Sequence, residues 1–134
     1  MLRIVIGLVL LGHGIGHSIG LLGMFKVATV NPAWNGDSWL LTGPAGPTLT
    51  QGVGVVLWTV SMIGFAALAG ILFGWLPLTW WVPVAVVASL ASLAGVLFFP
   101  VAFPTVSTIG AVAVDVAVLV AVFGYHWSPS DLAA

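Results

Sequence analysis

The chain has 134 residues, of which 61% are hydrophobic and only 4% charged, and its net charge is −1. A soluble domain carries about 25% charged residues, so a water-facing globular surface is excluded, and with no basic patch so is a nucleic-acid partner. Cysteine is absent, which removes disulfides, thiolate metal sites and cysteine nucleophiles.

The length allows a single domain spanning 1–134. A helix crosses the ~30 Å hydrocarbon core with about 20 apolar residues. Four stretches qualify: 2–25, 51–76, 78–99 and 105–125. The first opens with Arg3 and an apolar run, as a signal peptide does. The run continues to Phe25, however, and Lys26-Val27-Ala28 does not make a small-x-small cleavage site. It is read as a retained transmembrane helix.

Inside this first stretch lies Gly12-His13-Gly14-Ile15-Gly16-His17-Ser18-Ile19-Gly20. Residues four apart share a helix face, so His13 and His17 stand one above the other, ~6 Å apart along the axis. Ionisable side chains at bilayer depth are costly and mark candidate functional sites. Gly12, Gly16 and Gly20 form a GxxxGxxxG stripe, the pattern that lets membrane helices approach closely.

The connection 26–50 is long and rich in Pro, Gly, Asn, Thr and Trp. It is expected to fold back over one end of a bundle, with Trp34 and Trp39 at the headgroup level as an interfacial anchor or as a lid. In the second stretch Trp58 is read as packing, and Ala66, Gly70 and Gly74 form a small-residue seam. Gly74-Trp75-Leu76-Pro77 then signals a tight turn. Trp75, Trp80, Trp81 and Trp127 mark the opposite interface. The third stretch carries Ala88, Ser92 and Gly95 as its seam, and Ser89 and Ser92 are expected to bond back to their own helix. Pro100 and Pro104 bracket another short turn. Short connections predict an antiparallel, up-and-down four-helix transmembrane bundle, an all-α fold. Arg3 and Lys26 tie in the positive-inside count. Both termini are placed in the cytoplasm of a multi-pass cell-membrane protein, because a long loop is translocated more easily than two termini.

The fourth stretch contains Asp115, flanked by Ala111-Val112-Ala113-Val114 and Val116-Ala117-Val118. A bare carboxylate there must be protonated, paired or facing a wet cavity. Asp115 falls at the depth of His13, which predicts a His13–Asp115 hydrogen bond between neighbouring first and fourth helices. Three roles stay open for His13, His17 and Asp115. They can satisfy one another and fix helix register, they can line a ligand or proton pocket, or they can hold a metal or haem. His126 lies roughly 16 Å from Asp115 along the axis, so an opposed histidine pair on one haem would need a dimer. The small-residue seams, including Ala113, Ala117 and Ala121, serve packing inside one bundle or homo-oligomerisation.

The opening Leu2-Arg3-Ile4-Val5-Ile6-Gly7-Leu8-Val9-Leu10-Leu11-Gly12-His13-Gly14 resembles the start of DoxX-like proteins, small bacterial four-helix membrane proteins. Those begin with an Arg, an apolar run with Gly and a His-Gly or similar pair, and often have a Lys where His17 stands here. The resemblance implies a four-helix membrane fold and a place in a quinone-linked or oxidative-stress complex. It carries over no catalytic residue. The functional expectation is a small membrane subunit binding a quinone or other apolar ligand near His13, His17 and Asp115. The alternatives are a non-enzymatic scaffold, or a proton or small-solute pathway. No cofactor has a specific motif in the chain.

Overall fold

The computed structural model describes residues 1–28 and 30–133. All regular structure among them is helical: α1 (Leu2–Met24), α2 (Thr42–Leu72), α3 (Trp81–Phe98) and α4 (Thr105–Leu119). A 3-10 turn over Leu78–Trp80 leads into α3, and a π turn over Val120–Gly124 extends α4. With these extensions, four helices are long and apolar enough to cross a membrane. The fold is that of a multi-pass membrane protein. The Ala-Val alternation of α4 has the period of a half-buried strand. It is helical because in lipid each span must satisfy its own backbone groups.

Contacts fix the helix neighbours. On α1, Gly7 faces Phe73, Gly14 faces Phe65 and Ala66, and Gly20 faces Trp58, so positions climb α1 as they descend α2. Gly64 meets Ala88, and Gly95 meets Trp58, across the α2–α3 seam. Trp81 donates its indole N–H to the Trp127 carbonyl at 3.1 Å, which joins the start of α3 to the segment after α4. By contrast, α1 and α4 scarcely touch, and a crevice separates them.

The second helix begins nearer the N-terminus than the expected 51. One turn from Thr42 is followed by a break at Gly46, with φ 81° and ψ 164°, after which Pro47 opens the long part of α2. Those dihedrals are accessible essentially to glycine alone, and proline is preset for the first helical turn because its missing N–H is not needed there. Helix ends at Met24, Leu72 and Phe98 come slightly earlier than expected.

The connection before α2 does fold over one end of the bundle, and its bonds show why. The last carbonyls of a helix lack intrahelical donors. Side chains of the connection supply them: Ser38 Oγ donates to Phe98 O at 2.6 Å, and Trp39 Nε1 donates to Leu97 O at 2.7 Å. Asn31 donates to Val101 O, and Gln51 donates to Met24 O. Trp34 departs from the interfacial expectation. Its ring is buried against Gly23 and Phe99 as part of a core cluster, because the missing side chain of Gly23 opens a seat for it. Trp39 stays exposed. At the other end, Trp75 and Trp80 are exposed, whereas Trp81 is buried edge-to-face on Trp127.

Candidate functional site

The inward stripe of α1 comprises Gly7, Leu10, Gly14 and His17, the spacing that one helix face requires. His13 lies beside that stripe, nearly enclosed, with 9% of its side chain accessible. On α4 the inward positions are Asp115, Val118 and Val122, again at helical spacing. A hydrogen bond joins these two faces across the crevice. His13 Nε2 lies 3.0 Å from Asp115 Oδ1, and Asp115 is fully buried.

Two further contacts close a ring. Ser92 Oγ, from α3, donates to Asp115 Oδ2 at 2.6 Å and lies 3.2 Å from His17 Nε2. His17 Nε2 in turn lies 3.3 Å from His13 Nε2. Ser92 therefore does not bond back to its own helix as expected. A carboxylate or carboxyl oxygen facing it across the α3–α4 seam is the better acceptor, because the carbonyl four residues back is already engaged within the helix. Ser89 matches the expectation no better, since its hydroxyl has no partner among the described residues.

Aromatic rings of α2 form the floor. Phe65 meets His13 edge-on with centroids 4.3 Å apart, and Trp58 stacks on His17 at 5.5 Å with an 18° tilt. Both are fully buried. Trp58 thus packs, as expected, but it packs on a candidate site residue. All four helices contribute to the site.

Proton counting restricts the ring. With Asp115 ionised, the single Ser92 hydroxyl proton goes to it, and the contact between His17 and Ser92 then places the proton on His17 Nε2. In a neutral imidazole the other nitrogen, Nδ1, is then a lone-pair acceptor. His13 Nε2 has one in-plane site, and the shorter contact with Asp115 takes it, leaving the 3.3 Å approach of the two imidazoles as the weakest side of the ring. Among the described residues, neither Nδ1 has a hydrogen-bond partner.

Both imidazoles line a cavity of about 260 Å³ between α1 and α4. Gly16 and Ala111 form its sides, Val96 and Phe103 come from α3 and the turn after it, and Val30 contributes from the first connection. Inside the bundle, the packing role expected of the glycine stripe narrows to one of its three members. A side chain at Gly12 or Gly16 would meet nothing within 4 Å, because these glycines look out of the α1–α2 seam. Of the expected three, only Gly20 packs closely, against Trp58, and the other close-packed glycines of α1 are Gly7, Gly14 and Gly23.

His126 lies exposed beyond the π turn, with a positive φ of 51°, and takes no part in the site. His13, His17 and Asp115 engage one another, and among the described residues no group of three His, Cys, Asp or Glu is arranged to hold an ion. No family model matches the chain, and comparison with curated proteins and with solved structures gives no match either.

Proposed function

We propose that the cavity beside His13 and His17 binds a small apolar ring bearing a hydroxyl group, of the quinol–quinone type, and that the protein serves as a membrane-embedded binding subunit for it. The observation that carries this reading is the pairing of two cavity-lining imidazoles with unengaged Nδ1 atoms. The Asp115–Ser92 pair fixes the far nitrogen of each ring and thereby makes His17 Nδ1 an acceptor. An unengaged acceptor on a residue that lines the cavity favours the hydroxyl of the reduced ligand over the carbonyl of the oxidised one. The volume of about 260 Å³ falls just below the ~300–1,000 Å³ of typical ligand pockets. It suits one ring rather than a macrocycle such as haem. We place the protein in the cell membrane with both termini cytoplasmic, as a subunit of a larger redox or stress-response assembly. The opening residues support that placement through their likeness to DoxX-like proteins.

Gly16→Leu tests the reading at a position outside the polar ring, since Gly16 lines the cavity and a Cβ there meets nothing within 4 Å among the described residues. Purified protein is titrated with a short-chain hydroquinone and its quinone, and binding is read by quenching of tryptophan emission. The wild type is expected to bind the hydroquinone more tightly. Gly16→Leu is expected to lose binding of both while unfolding at or slightly above the wild-type temperature, since it also gains helix propensity. Equal binding by Gly16→Leu would remove the cavity from the account.

A second reading rests on a specific feature, the enclosure of Asp115 and Ser92. A closed ring of polar groups linking three helices fixes register whether or not a ligand binds. In that case the wild type shows no saturable binding, and only stability responds to substitutions in the ring.

A further inference from the structure

The crevice between α1 and α4 continues on the other side of the His13–Asp115 bond as a second cavity of about 550 Å³. Its walls are apolar: Val5 and Val9 on α1, Ala117 and Ala121 on α4, with Tyr125 and Trp127 at the outer end. On both helices the bridging residues stand between the two cavities, so this one is independent of the site described above. At its outer end α4 abandons α-helical geometry for the π turn over Val120–Gly124, in which the Tyr125 N–H donates to Val120 O at 3.2 Å. Such turns concentrate at functional positions.

Arg3 sits at the same end. It shares a helix face with Ile6 and Leu10, both of which border the cavity. One guanidinium nitrogen, Nη2, reaches the Pro129 carbonyl at 3.4 Å, whereas Nε is buried with no partner among the described residues. Among the described residues no carboxylate pairs with Arg3. The nearby Asp131 instead accepts from the Ser128 N–H at 2.8 Å. The Arg3 charge thus has no counter-ion among the described residues, and the planar guanidinium of arginine suits a phosphate.

We infer that this half of the crevice binds an anionic phospholipid, with one acyl chain between α1 and α4 and its phosphate on the Arg3 guanidinium. One molecule from the surrounding bilayer supplies both requirements, apolar filling for the cavity and an anionic acceptor for Arg3. An uncharged lipid would fill the cavity but leave the Arg3 charge without a counter-ion.

The test uses the full chain exchanged into micelles containing phosphatidylglycerol and phosphatidylcholine of identical acyl chains, with retained lipid counted by native mass spectrometry. The wild type is expected to retain phosphatidylglycerol in about fivefold preference, the factor that one basic side chain contributes at an anionic surface. Arg3→Gln is expected to retain both lipids equally, and Arg3→Lys to keep most of the preference. Ala117 is exposed on the crevice wall, so Ala117→Phe is expected to fold normally and retain neither lipid. Added inorganic phosphate is expected to displace nothing. Equal retention by the wild type, a preference surviving in Arg3→Gln, displacement by phosphate, or undiminished binding by Ala117→Phe would each overturn the assignment.

Discussion

Asp115 is the residue on which the site turns. Fully buried on a helix of Ala and Val, it has two polar partners, His13 on one oxygen and Ser92 on the other. Removing a partner leaves a buried acceptor unsatisfied, at a cost of about 1–3 kcal/mol. His13→Ala and Ser92→Ala are therefore each expected to lower unfolding free energy by about that amount, measured by denaturation in micelles. Hydrogen bonds between membrane helices couple by about 0.6 kcal/mol on average and up to about 1.7. A double-mutant cycle on His13 and Asp115 is expected near the upper value, because the pair is shielded from water; a coupling near zero would mean the contact contributes nothing. The depth arithmetic that pairs these two residues agrees with the observed 3.0 Å separation. Ser92 escaped it because a hydroxyl in a membrane helix has a local acceptor always at hand. A signal was nevertheless present, since Ser92 lies eight residues before Pro100 and Asp115 eleven after Pro104, which puts the two within one helical turn of each other in depth in a hairpin of helices.

At the scale of elements, glycine spacing alone misassigned the packing face of α1. The GxxxGxxxG stripe is a regular pattern, but the face that packs is chosen by where large side chains of α2 need room, above all Trp58 and Phe73. The two classes of glycine separate by experiment. A Cβ at Gly20 would approach the Trp58 ring to 2.9 Å, and Trp58 is fully buried with nowhere to move. Gly20→Ala is expected to destabilise by about 1–3 kcal/mol. Gly12→Ala meets nothing and is expected to stabilise by up to about 1 kcal/mol through helix propensity. If thermal unfolding ranks the two variants the other way, the α1–α2 seam is misplaced. The early start of α2 was hidden for a related reason. Thr42-Gly43-Pro44-Ala45-Gly46-Pro47 has the composition of a loop, yet Gly46 supplies the one backbone turn that lets a helical turn and a long helix share a segment. Gly46→Ala is expected to cost about 1–3 kcal/mol, since its dihedrals exclude a side chain.

For the molecule as a whole, the four spans and their membrane class were legible because composition and hydropathy decide them with little help from tertiary contacts. The crevice was not legible. It arises because α1 and α4 touch sparsely, around one hydrogen bond, instead of along a seam, and no pattern within a single helix records the spacing between two. That crevice gives the polar ring an outlet, and it makes a binding role the central claim. The chain contains only three histidines, His13, His17 and His126, and only the first two line the cavity. Histidine ¹⁵N resonances of the labelled protein, followed as a short-chain hydroquinone is added, therefore test the claim directly. The account predicts a saturable shift of the His17 Nδ1 signal, a smaller one at His13 and none at His126. Unchanged His13 and His17 resonances at concentrations that perturb His126 would contradict it.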